Sequence, residues 1–154
     1  MSPRLHGRSR TVAVALAAAA VAIQLVPVDR SNPAVAHEVA APPEVATLLH
    51  DACYDCHSRL THWPWYSRVA PVSWFVADHV KEGRRKLDFT DWPATDLDAQ
   101  DHMLREVAKE VQEGEMPLAG YDWMHPAARL NPAQRAALVA WAGGPGEATG
   151  GDDD

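Results

Sequence analysis

Two thiols and an imidazole stand together at Cys53-Tyr54-Asp55-Cys56-His57, a C-x-x-C-H run that reads as a covalent attachment site for c-type haem. On a helix, cysteines at i and i+3 face the same way, so each can bond one vinyl group of a porphyrin lying along that face. The adjacent imidazole then reaches the iron. Haem iron in such a site takes this His as one axial ligand and often a Met sulfur as the other, which raises its reduction potential. Cys53 and Cys56 are the two cysteines of the chain. Three other chemistries compete for them. A thioredoxin-like dithiol needs a strand before the motif, whereas residues 44–52 are helical in pattern. A zinc site drawing on His57 and His62 is disfavoured, because the sequence neighbours Cys56 and His57 do not comfortably fill two corners of one tetrahedron with Cys53. A plain Cys53–Cys56 disulfide is the bland alternative in an oxidising compartment.

Met116 is the residue expected to supply the second iron ligand. It sits in Gly114-Glu115-Met116-Pro117, just past a helix stop, where Pro117 stiffens the backbone that presents the sulfur. A methionine on an apolar helix face has a ready packing explanation; one in this loop has a weaker one. Met103 and Met124 are competitors, and His62, His79, His102 or His125 would give bis-His ligation instead.

The elements that must hold these groups follow from periodicity. Pro42-Pro43 precedes a helix on which Val45, Leu48, Leu49, Ala52 and Cys56 share a face, so this first helix carries the motif near its C-terminal end. Trp63-Pro64-Trp65-Tyr66 is either a wall along one haem edge or a hydrophobic plug between helices. A second helix starts at Ala70-Pro71-Val72, with Val72, Phe75, Val76, His79, Val80 and Gly83 on its apolar stripe. His79 there reads as a hydrogen-bonded core residue before a ligand. Lys81, Arg84, Arg85 and Lys86 complement the dipole at that helix's C-terminal end, with haem propionates or a partner as the other use. Residues 87–93 read as a connection. A third helix spans residues 96–113, with Leu97, Asp101, Leu104, Ala108 and Val111 on one stripe and Val107 beside it, and Gly114 stops it. Asn131-Pro132 starts the last helix, 133–142, whose Ala136, Ala137 and Ala140 offer a small-residue surface for close approach.

Before the motif, Arg4, His6, Arg8 and Arg10 precede an apolar run over residues 12–28, the order of a charged n-region and an h-region, so the chain is expected to be exported. The run is short for a bilayer span and rich in alanine, which leaves signal peptide and uncleaved anchor both open. Ala34-Val35-Ala36 fits a cleavage site, and basic residues ahead of the run place the N-terminus inside and the domain outside. From His37 onward ten Lys plus Arg face twenty Asp plus Glu, a balance that argues against nucleic acid and suits docking on basic surfaces by long-range steering. The expected organisation is therefore residues 1–36 as signal or anchor plus linker, 37–142 as the functional domain, and 143–154 as a disordered acidic Gly-rich tail.

This order of elements resembles class I cytochrome c. More closely, Ala52-Cys53-Tyr54-Asp55-Cys56-His57-Ser58, Trp63-Pro64-Trp65-Tyr66-Ser67, Ala70-Pro71-Val72-Ser73-Trp74, Gly114-Glu115-Met116-Pro117 and His125-Pro126 resemble the small bacterial haem-binding domain family, over roughly residues 23–142. The resemblance implies an all-α, cytochrome c-like domain wrapped around one haem and preceded by an N-terminal hydrophobic helix. It implies thioethers on Cys53 and Cys56, His57 as proximal ligand and Met116 as distal ligand. The expected work is one-electron transfer between redox protein partners outside the cytoplasm, after loading by the c-type haem maturation machinery. The expected location is the periplasm or the outer face of the cytoplasmic membrane, with membrane contact through the N-terminal segment if that is uncleaved. With no Ser-His-Asp set and no phosphate loop, the chain is read as a carrier and not an enzyme. A haem-based sensor or small peroxidase-like protein with an open distal site is the rival reading.

Overall fold

The computed structural model describes residues 4–143. Among the described residues all regular structure is helical, and the one β-type pairing is an isolated bridge between His37 and Asp91. The described chain divides into two compact units, one of residues 4–31 and 63–79, the other of residues 32–62 and 80–143. The expected tail, 143–154, lies outside the described residues apart from Gly143.

In the first unit, helix α1 spans Arg4–Gln24. Among the described residues no helix is long and apolar enough to cross a membrane. This corrects the spanning form of the hydrophobic N-terminal helix: its first turns are spent on Arg4, Arg8, Ser9 and Arg10, and much of the rest is alanine, which contributes little transfer energy. The C-terminal end of α1 is tied to a loop. The Gln24 side chain donates from Nε2 to the Ala70 carbonyl at 3.2 Å and accepts the Ala70 N–H on Oε1 at 3.0 Å. Arg30 Nη1 donates to the Ser67 carbonyl at 3.2 Å. Between those anchors lies a 3-10 turn, Trp65–Arg68, whose Ser67 is buried and hydrogen-bonded through Oγ to the Pro64 carbonyl at 2.6 Å. Trp63 encloses its indole N–H without an acceptor, while Trp65 is exposed.

The second unit holds α2 (Pro43–Ala52), α3 (Tyr54–His57), the last turns of α4 (Val72–Lys86), α5 (Leu97–Glu113), α6 (Tyr121–Met124) and α7 (Pro132–Gly143). Its core is Val45, Leu49, Tyr54, Phe89, Trp92, Val107, Val111, Leu138 and Ala142. Helix ends follow local chemistry. Asp96 accepts the Ala99 N–H on its side chain at 2.9 Å, and Gly114 closes α5 in the left-handed region at φ 78°. Asn131 and Gln134 exchange side-chain and backbone hydrogen bonds at 2.8 and 2.9 Å, a capping box that starts α7.

Four expectations about faces are corrected. The first helix does not run through the motif: α2 ends at Ala52, and Cys53 adopts φ −122°, ψ −37° before the chain turns helical again at Tyr54. On α4, Val72 and Phe75 are exposed, and the buried part of the expected stripe is Val80 and Gly83. On α5, Leu97 is exposed and Val107 and Val111 make the core. On α7, Ala136 and Ala140 face solvent, and Leu138 and Ala142 are the buried pair. The stretch read as a mere connection, 87–93, instead supplies two core aromatics. Phe89 stacks on Tyr54 with ring centroids 5.7 Å apart and on Trp92 at 6.1 Å. Its backbone is held by the segment before α2, with Val39 N–H donating to the Phe89 carbonyl at 2.8 Å and Trp92 N–H to the His37 carbonyl at 2.9 Å.

Candidate functional site

The break at Cys53 sets the geometry of the motif. The Cys53 carbonyl accepts from Cys56 N–H at 3.2 Å and from His57 N–H at 2.9 Å, so the two thiols and the imidazole sit on one closed turn. Both thiols are free. Desolvation, added to by the neighbouring Cys56, pushes Cys53 up to about 12; desolvation, with Asp55 beside it, pushes Cys56 up to about 11. Both are therefore protonated near neutral pH.

His57 is held from outside the turn. Its Nδ1 lies 3.1 Å from the Gly83 carbonyl and 3.1 Å from the Leu87 carbonyl. Carbonyl oxygens only accept, so the ring proton belongs on Nδ1 and the lone pair on Nε2. Burial lowers the imidazole's pKa below its ordinary value, against the two carbonyl bonds that raise it, which favours the neutral, ligating form. Phe89 meets the ring edge-on, at 6.4 Å and 70°, and donates its N–H to the His57 carbonyl at 2.8 Å.

Helix α4 approaches this turn so closely that only glycine fits at position 83. A Cβ there would lie 2.5 Å from the Cys56 carbonyl oxygen and 3.3 Å from the Cys56 Cβ. The next residue, Arg84, donates from Nε to the Ser58 carbonyl at 2.7 Å and from Nη2 to Asn32 Oδ1 and Thr61 Oγ1, both at 2.8 Å. Arg84 is thus a clamp on the chain that leaves the motif, beyond the helix-end role expected of it. Arg85 pairs with Glu82 at 2.7 Å on the surface.

Met116 lies where the sequence places it, in the loop after α5, partly buried. Both of its backbone polar groups are fixed: its N–H donates to the Glu110 carbonyl at 3.1 Å, and its carbonyl accepts from Arg135 Nη1 at 3.2 Å. The same Arg135 nitrogen reaches the Val111 carbonyl at 3.1 Å, so α7 holds both the end of α5 and the methionine loop. The motif turn is tied to the chain just beyond that loop, since Asp55 accepts the Tyr121 hydroxyl at 2.7 Å on one oxygen and the His62 N–H at 2.8 Å on the other. The competitors have other settings. Met103 packs against the core, Met124 and His102 are exposed, and His125 stacks on Tyr121 at 3.9 Å. His79 bonds the Phe75 carbonyl through Nδ1 at 2.9 Å. Among the described residues no group of three or more His, Cys, Asp or Glu is placed to hold a metal ion by itself.

The free thiols and the neutral imidazole with its lone pair on Nε2 fit a haem attached at Cys53 and Cys56 and ligated by His57. A family model described as a haem-binding domain matches residues 18–143 of this chain. The chain belongs to the haem-binding domain family. No curated protein and no solved structure matches it. Haem binding is therefore the function that family membership carries, in a small all-α domain. Asp55, Tyr121, Gly83 and Arg135 carry no site reading in the sequence, and Arg84, read there as a helix-end cation or propionate partner, is instead bonded to the Ser58 carbonyl, Asn32 and Thr61. Gly83 alone had a signal there, since a glycine inside a helix costs about 1 kcal/mol and asks for a packing reason.

Proposed function

We propose that this haem-binding domain carries one covalently attached c-type haem, held by thioethers to Cys53 and Cys56, and transfers single electrons outside the cytoplasm. The observation that carries the reading is His57, whose Nδ1 is committed to the Gly83 and Leu87 carbonyls so that Nε2 is left for iron. The haem supplies the redox chemistry; the chain holds His57 neutral, fixes its ring plane against Phe89 and presents Met116 on a backbone pinned at both ends. Ligation by the Met116 sulfur as well as by His57 would suit a carrier, because an iron whose positions were filled by the chain would leave none for a substrate. The basic residues ahead of the apolar run support export, which brings the chain to the compartment where the c-type maturation machinery attaches haem.

The test is to export the protein in a host with c-type maturation and to record intact mass, pyridine haemochrome spectrum and oxidised-state far-red spectrum. The expected outcome is a mass raised by one haem, c-type bands, and a Met–iron charge-transfer band that disappears in Met116→Ala while the haem stays attached. A five-coordinate iron that reacts with peroxide in the parent protein would replace electron transfer by the sensor or peroxidase reading.

A further inference from the structure

The first unit presents aromatic and apolar side chains to solvent in one short stretch. Trp65 is 72% exposed and Phe75 is 65% exposed, and Val69, Val72 and Trp74 between them are exposed as well. This stretch is not a loose loop. The Gln24 pair at Ala70, the Arg30 bond at Ser67 and the buried Ser67 hydroxyl hold its backbone, so the exposed rings are displayed from a fixed platform. Exposed apolar surface on a rigid support marks a place of contact. Tryptophan is the residue of bilayer boundaries, its ring apolar and its N–H able to meet a headgroup.

The charge of the same unit says what that contact is with. Residues 1–31 and 63–79 carry Arg4, Arg8, Arg10, Arg30 and Arg68 against Asp29 and Asp78. The other unit carries nine Lys plus Arg against nineteen Asp plus Glu. A cationic, aromatic unit in a strongly acidic chain has the composition that binds an anionic lipid surface, where basic residues gain from the surface potential and rings enter the headgroup boundary. Helix α1 has the same composition, with Arg8 and Arg10 followed by exposed Val12, Val14, Leu16 and Val21. It is too short in apolar length to cross.

We propose that the unit formed by residues 4–31 and 63–79 docks on an anionic phospholipid bilayer surface, with Trp65, Val69, Val72, Trp74 and Phe75 seated in the headgroup boundary beside Arg68. The proposal is independent of the haem reading. The experiment is co-sedimentation of the full-length haem-loaded protein with vesicles of phosphatidylcholine alone or mixed with phosphatidylglycerol, at low and high salt. The variants are Trp65→Ser/Phe75→Ser and Arg68→Gln, which alter exposed side chains outside α1; an unaltered far-ultraviolet circular dichroism spectrum and urea midpoint check their folding. Binding should need phosphatidylglycerol, weaken with salt, fall at least tenfold in the double variant, and fall about fivefold in Arg68→Gln. Equal binding by the double variant would overturn the proposal and leave α1 as the sole contact. So would a parent protein that ignores vesicles but runs as a dimer dispersed by Trp65→Ser/Phe75→Ser, which makes a second copy the occupant.

Discussion

Because carbonyl oxygens only accept, those of Gly83 and Leu87 hold the ring proton of His57 on Nδ1 and decide which nitrogen can serve as a ligand. The two thiols beside it are set by desolvation in the opposite sense, toward the protonated form. That has a consequence for the haem-free chain. Its unfolded thiols lose their protons near their ordinary value of 9.0, while the folded ones hold theirs to about 11 and 12. The native state therefore binds more protons above pH 9, and unfolding free energy is full below pH 9 and falls as pH rises toward 11 to 12. Tyr54, its pKa also raised by burial and by Glu38, adds to the same loss. Urea titrations of haem-free protein at pH 8 and pH 10 should show the decline, and Cys53→Ala/Cys56→Ala should flatten most of it. Haem-loaded protein, with thioethers that do not titrate, should keep only the Tyr54 part; an equal slope in parent and double variant would contradict the assignment. At this scale the reactive trio was legible because its three residues lie within one short run. The partners of His57 were not, since backbone carbonyls leave no mark in a sequence.

At the scale of elements, what the sequence shows depends on how local the cause is. The caps at Asp96, Gly114, Asn131 and Pro132 act within a turn, and α5 starts and stops, and α7 starts, where those residues say. Burial faces depend on neighbours, and so Leu97, Val72 and Phe75, apolar and in register, are exposed. The aromatics of 87–93 form neither a helical nor an alternating pattern, so their burial is not legible in the sequence, although Phe89 is a fully buried member of the core. Helix α4 meets the Cys53–His57 turn closely at Gly83. Gly83→Ala puts a methyl 2.5 Å from the Cys56 carbonyl oxygen, a backbone atom that cannot swing aside. It should cost about 1–3 kcal/mol by overpacking, read by urea denaturation, even though alanine is the better helix former. The shift it forces on the turn that carries His57 should also lower the haem content of exported protein. An unchanged or raised stability would mean that α4 does not sit against the motif.

The molecule as a whole carries formal net charge −7, and its acidic residues are unevenly placed, two in one unit against nineteen in the unit that holds the Cys53–His57 turn. A field of that sign attracts cations to the neighbourhood of the Cys53–His57 turn and repels anions, and salt weakens both effects because the Debye length shrinks to about 10 Å at 0.1 M. The prediction follows without naming a protein partner. Reduced, haem-loaded protein should be oxidised by a tris-phenanthroline cobalt(III) cation at a rate that falls as sodium chloride is raised, and by ferricyanide at a rate that rises. Stopped-flow measurement of both reactions over the same salt series separates charge from intrinsic reactivity, since the potential of the haem is common to the two. Opposite salt slopes would assign the acidic unit the steering role and point to physiological partners with basic docking faces. Slopes of the same sign would show that electrons leave through a surface on which the acidic residues exert no field, and the expectation of a basic partner would be withdrawn.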